Sequence, residues 1–427
     1  MVHLSVTPEV SLADSPVKIY ASGLAPSQLV TLYASLTDER GVKFLARAFY
    51  QANQNGEVDV AQASALGGNY TGVWPMGLFY SLRAEKMFQR LMKRDVTGSP
   101  FYVQISLFNS AVLLPLPTEE PLATCTAERW YAAPGVERIP VKSGQVRGAL
   151  FLPPGPGPFP GLIDMFGGAG GLIEFRAGLL ASKGFAVLAL AFFAYDDLPQ
   201  TLEVVDLEYF EEASRLLLKH PKVRGPGLGV IGLSKGAEIA LAMGTFLKEI
   251  AATVCINGAT RMNGASLHFH DINIPAVPYS SEKVLINEMG LMSSFHVMGD
   301  PLDAVHQVSA IPVEKAQGHI LFVVGEADQS LNSKVFAEMA LARAKKYGRT
   351  NCSLLSYPRA GHMIEAPGSP ICFISYIRGS ALPTIWGGEI KSHAKAEEHF
   401  WEEVLKFFDL HLGPAENLWY QKEVQVV

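Results

Sequence analysis

A chain of 427 residues is long enough for two domains, and 48% apolar against 18% charged residues describes a compact globular protein with a large core. A formal net charge of −6, with both signs interspersed, excludes a nucleic-acid or anionic-membrane surface as the main business of the chain. The longest apolar run, 185–195, is too short to span a bilayer. The first residues carry no basic-then-apolar secretory leader, so a cytoplasmic location is expected. A peroxisomal address of the Ser-Lys-Leu kind is missing from Gln425-Val426-Val427. Cys125, Cys255, Cys352 and Cys372 are scattered without metal-like spacing, which fits a reducing compartment.

Residues 1–130 read as β. Short alternating or β-branched runs at 17–20, 29–33, 42–45 and 101–107 are separated by Pro, Gly, Asn and Asp, the pattern of an immunoglobulin-like β-sandwich of roughly seven strands. A helical turn or two is expected around 82–93. From 131 a second domain begins with a hairpin, arms 136–141 and 146–152 turning at Ser143-Gly144, and a stiff Pro/Gly segment follows at 153–160. Strands and helices then alternate. Strands are expected at 161–166, 185–191, 252–257, 320–325 and 353–357, with helices at 172–183, 206–219, 333–347 and 394–412. That order implies an α/β domain over 131–427 with a doubly wound, mostly parallel sheet. Residues 260–313 are irregular and long for a connection, as a lid or cap would be.

Within this series, Gly232-Leu233-Ser234-Lys235-Gly236 joins the apolar strand around 228–231 to a helix starting near Ala237. A G-x-S-x-G in strand-turn-helix context places a serine nucleophile on a sharp turn, where flanking glycines admit close packing. Asp328 follows the 320–325 strand and His362 follows the next one, the chain order of a hydrolase triad. His362 would take the Ser234 proton, and Asp328 would hold the imidazole tautomer. Glu326 is a second candidate acid. The backbone N–H of Lys235, with Gly167 and Gly168 of the loop 167–171, would form the oxyanion hole. That loop lacks the G-K-[ST] ending of a phosphate loop, so no nucleotide is expected. His268 and His270 have no further ligand in view, and neither a metal nor a cofactor is expected.

Longer strings carry a family resemblance. Ala65-Leu-Gly-Gly-Asn-Tyr, Val73-Trp-Pro-Met-Gly-Leu-Phe, Asp206-Leu-Glu-Tyr-Phe-Glu-Glu-Ala, Gly361-His-Met-Ile-Glu and Trp386-Gly-Gly-Glu resemble the type I acyl-CoA thioesterase and bile acid-CoA:amino acid N-acyltransferase family. The resemblance implies an α/β-hydrolase fold behind a β-sandwich, a triad at Ser234, Asp328 and His362, and acyl-CoA thioester substrates. The transferases of that family that conjugate bile acids to glycine or taurine carry cysteine where this chain has Ser234, whereas the thioesterases carry serine. An acyl-serine is an oxygen ester that amines attack sluggishly, so serine favours water as acceptor; a few related transferases with serine keep glycine or taurine open. A carrier without catalysis and a general carboxylesterase are further alternatives. The CoA phosphates would meet basic side chains, with Arg176, Lys235 and Arg261 as candidates.

Overall fold

The structure, a computed structural model, describes residues 1–113 and 120–415; the terminal tripeptide Gln425-Val426-Val427 lies outside the described residues. Two compact units emerge, Met1–Tyr131 with Ala366–Ile371, and Ala132–Glu365 with Cys372–Val427.

The first unit is built of two sheets, one of seven strands and one of three. Leu29–Thr37, Lys43–Gln51, Phe101–Asn109 and Ala123–Trp130 form the body of the larger sheet. In Lys43–Gln51 the side chains alternate as one buried face requires, with Phe44, Ala46, Ala48 and Tyr50 buried. The helical turn expected at 82–93 is absent. A single turn at Gly77–Tyr80 takes its place, because Arg83 and Ala84 pair with Leu45 and Phe44 as strand. His3–Thr7 and Val10–Leu12 are strands too short for periodicity to reveal. The segment Ala366–Ile371 is tied in by Ile371 N–H donating to Tyr80 O at 3.1 Å and by Ser369 Oγ bonded to Tyr131 OH at 2.6 Å.

The second unit is organised by an eight-stranded sheet. Its strands are β1 (Glu137–Ser143), β2 (Val146–Leu152), β3 (Phe159–Met165), β4 (Ala186–Ala191), β5 (Val223–Leu233), β6 (Ile250–Ile256), β7 (His319–Gly325) and β8 (Cys352–Tyr357). Their spatial order is β1-β2-β4-β3-β5-β6-β7-β8. Only the β1–β2 and β2–β4 pairs are antiparallel; the rest are parallel. The hairpin turns at Gly144-Gln145, one residue later than expected, since Ser143 pairs with Val146. Strands β3 and β4 are buried along their whole length, which is why they read as near-continuous apolar runs.

Helices cover the sheet: α1 (Phe175–Ser182), α2 (Leu207–Leu218), α3 (Lys235–Phe246), α4 (Ser333–Lys346) and α5 (Ile390–Leu412). Leu207, Phe210, Ala213 and Leu217 of α2 are buried, as their spacing requires, and Asp206 caps the helix by accepting from Glu208 N–H. In α5 the buried stripe runs His393, Glu397, Phe400, Val404, Phe408, and Gly413 at φ 83° ends the helix. The region 260–313 holds short strands, among them Ser266–Phe269 and Ile272–Ile274, and 3-10 turns, and it exposes Leu285, Ile286, Leu302, Val305 and Val308. Among the described residues no helix is long and apolar enough to cross a membrane.

Candidate active site

Ser234 stands between the end of β5 and the first residue of α3, with φ 58° and ψ −119°. An L-residue is strained there, and such strain persists only where the surroundings over-determine it. They do so sterically. A Cβ on Gly232 would collide with Gly236 O, and one on Gly236 with Phe166 O. Ser234 N–H donates to Ile256 O of the neighbouring strand at 2.9 Å, while its carbonyl accepts from Ala237 and Glu238 of α3. The serine remains partly exposed.

Gly167 lies against the nucleophile: a Cβ there would sit 3.0 Å from Ser234 Cβ and 3.4 Å from Oγ. Gly168 beside it is exposed and has open space where a side chain would be. Lys235 presents its backbone at the start of α3 while its side chain is buried, ion-paired with Glu238 and donating to Asn263 O at 2.8 Å.

Asp328 and His362 meet at the carboxyl ends of β7 and β8. His362 Nδ1 bonds Asp328 Oδ2 at 2.8 Å, both residues being 3% exposed or less. The other carboxylate oxygen, Oδ1, accepts from the N–H groups of Ser330 at 2.7 Å and Leu331 at 3.2 Å, so the acid cannot swing away. Trp386 stacks on the imidazole at 5.5 Å, and its carbonyl accepts from His362 N–H. Glu326, the second candidate acid, turns elsewhere: it bonds Ser356 at 2.8 Å and Lys334 at 3.0 Å, and these two partners hold its carboxyl below the usual range.

Sequence reasoning missed Asn257, which is wholly buried at the end of β6. Its Nδ2 donates to Gly361 O at 3.0 Å and His362 O at 2.7 Å, while its Oδ1 accepts from Gly325 N–H and Ser333 Oγ. One amide thus ties the strand beside the nucleophile to the loops carrying the acid and the histidine.

Three expectations about basic side chains fail. Arg176 is fully buried, bound to Asp164 at 2.5 Å and to Met165 O at 2.9 Å. Arg261 is 4% exposed and spends its guanidinium on Met298 O and Asp300 O. With Lys235 already paired, none of the three presents a free charge to a CoA phosphate. The histidines 268 and 270 also differ from expectation, since Asp206 and Glu208 do come near. Asp206, Glu208 and His268 offer donor atoms within 4.8 Å of one another, and His270 Nδ1 lies 3.0 Å from Glu208. Ordinary histidine–carboxylate pairing on an exposed surface accounts for that cluster.

The sheet order, with a serine elbow after β5, an acid after β7 and a histidine after β8, defines an α/β-hydrolase. Residues 205–414 match the family described as BAAT / Acyl-CoA thioester hydrolase C terminal, and residues 14–143 match the Acyl-CoA thioester hydrolase/BAAT N-terminal region. The chain is 50% identical over 412 residues to acyl-coenzyme A amino acid N-acyltransferase 2 of Rattus norvegicus, covering 96% of this chain and 98% of that one. It is 49% identical over 415 residues to the bile acid-CoA:amino acid N-acyltransferase of Homo sapiens, covering 97% and 99%. Human acyl-coenzyme A thioesterase 1 shares 45% identity over 404 residues, covering 95% of each chain. The chain belongs to the acyl-CoA thioester hydrolase and bile acid-CoA:amino acid N-acyltransferase family.

Proposed function

We propose that this protein is an acyl-CoA thioesterase working through an acyl-enzyme on Ser234. The observation that carries the reading is the buried His362–Asp328 pair, at the same sheet edge as a strained serine elbow, in a member of this family. His362 Nε2 takes the Ser234 proton as Oγ attacks the thioester carbonyl carbon, and Asp328 steadies the imidazolium through Nδ1–H. The N–H groups of Lys235 and of Gly167 or Gly168 receive the oxyanion. Collapse expels CoA, whose sulfur, with a thiol pKa of ~8.5, takes the proton from His362 as it departs and leaves the imidazole neutral. A water molecule then gives up a proton to His362, attacks the acyl-serine, and releases free acid.

A second reading sends the acyl group to an amino acid such as glycine or taurine, and identities of 49–50% to N-acyltransferases favour it. Serine at the elbow weighs toward water, because amines attack an oxygen ester far more slowly than a thioester. In the division of labour we propose, 131–427 does the chemistry and 1–130 has a structural role. Cysteines scattered through the chain without metal-like or paired spacing accord with a cytosolic site of action.

Mass spectrometry of products from a long-chain acyl-CoA and a bile acyl-CoA, each with and without millimolar glycine or taurine, tests the reading. Free acid that is indifferent to the amine and absent from Ser234→Ala is expected. N-acyl amino acid formed at the expense of free acid would replace it with the second reading.

A further inference from the structure

Helix α5 carries a buried histidine and a buried carboxyl one turn apart that the reaction above does not use. His393 is fully buried and Glu397 is 4% exposed. Gly361 N–H donates to His393 Nδ1 at 2.9 Å, and His393 Nε2 lies 2.8 Å from Met363 O. A backbone N–H can only donate and a carbonyl can only accept. The contacts therefore fix both nitrogens: a neutral ring with its proton on Nε2. Gly361 and Met363 are the two neighbours of His362, so one imidazole spans the peptide groups on either side of the proposed general base. Glu397 Oε1 lies 3.4 Å from Nε2 and accepts from Glu365 N–H at 3.2 Å.

We propose that His393 is a positioning residue for acyl transfer, its neutral ring clasping the backbone on both sides of His362 while Glu397 anchors its Nε2 edge. The inference rests on His362 being the base assigned above. A clasp of this kind has a built-in failure mode. The imidazolium would aim a second N–H, on Nδ1, at the N–H of Gly361, and two donors cannot bond each other. Burial is the largest single influence and disfavours that cation, but Glu397, the Met363 carbonyl and Glu365 together outweigh it, and the His393 pKa lies above the ordinary histidine value. Glu365 also acts on the ring, its charge favouring the cation, and Glu365 in turn faces Asp164, which Arg176 compensates. Phe373 closes the remaining side edge-on at 6.3 Å. Replacing Glu397 by a neutral amide keeps a polar partner for Nε2 and removes the strongest attraction for the second proton.

The experiment compares wild type, His393→Phe and Glu397→Gln across pH, below the melting temperature of each by circular dichroism. It reads kcat and KM on acyl-CoA and the rate at which a fluorophosphonate labels Ser234. For folded H393F, kcat and labelling should fall together by about 10- to 100-fold with KM within about two-fold, the size expected from a small misplacement of a catalytic group. For E397Q the acid limb of both rates should move down by about one pH unit as the imidazolium loses its carboxylate partner. Wild-type rates in a folded H393F, or an unmoved acid limb in E397Q, would overturn the proposal. Should H393F not fold, the acid limb of E397Q decides alone. Labelling needs Ser234 and His362 but no acyl-CoA, so it reads the clasp even if acyl-CoA turnover, and with it the proposed function, fails.

Discussion

The serine elbow and the histidine loop sit on one sheet edge and are held by opposite means. Around Ser234 the restraint is steric and local: Gly232 and Gly236 leave no room for a Cβ, and the neighbouring strand fixes the amide. Around His362 the restraint is polar and distant in sequence. Asn257 holds two carbonyls of the loop, His393 grips the peptide groups on either side, and Trp386 stacks on the ring. The nucleophile's position is thus written into its own neighbourhood, whereas that of the base is a property of the assembled unit. Damage should differ accordingly, abrupt at the elbow and pH-dependent at the loop.

The largest effect expected is from Ser234→Ala, which should lower kcat by about 10⁴-fold or more while leaving the urea midpoint near wild type. Asn257→Asp should come next. It turns a double donor into an acceptor facing two carbonyls, for a stability loss of about 2–4 kcal/mol and a clear drop in kcat; a variant as stable and active as wild type would mean that the loop does not depend on this amide. Gly236→Ala should cost about 1–3 kcal/mol by crowding Phe166 O, measured by urea unfolding, with no change in the shape of the pH profile.

The smallest effect belongs to Glu326→Ala: within ~0.5 kcal/mol in stability and about two-fold in kcat, since its partners are Lys334 and Ser356 at the surface. A collapse of activity in that variant would move the acid assignment away from Asp328.

The same contrast explains what the sequence discloses. Ser234, Asp328 and His362 each follow a recognisable apolar strand, so their order and the sheet edge they share are visible without coordinates. Asn257 ends a strand in the same fashion, yet nothing local marks it as a bridge. His393 and Glu397 did leave a trace: two polar residues four apart within the stripe that continues through Phe400, Val404 and Phe408, where a core-facing helix should be apolar. Arg176, Lys235 and Arg261 show the converse failure. A basic side chain near a motif says nothing of its burial, and only the fold reveals that Asp164, Glu238 and two loop carbonyls already hold them.

Helix α5 also bears on how the protein is made. Its first turns grip the loop of His362, and farther along Phe408 packs where a Cβ on Gly229 of the nucleophile's strand would be, 2.8 Å away. A chain emerging at about 5–20 residues per second synthesises Ser234 roughly ten to thirty seconds before Glu397. On the mechanism proposed above, the nucleophile would stand throughout that interval without the element that seats its base, and a nascent chain is expected to turn over acyl-CoA only once α5 has been made.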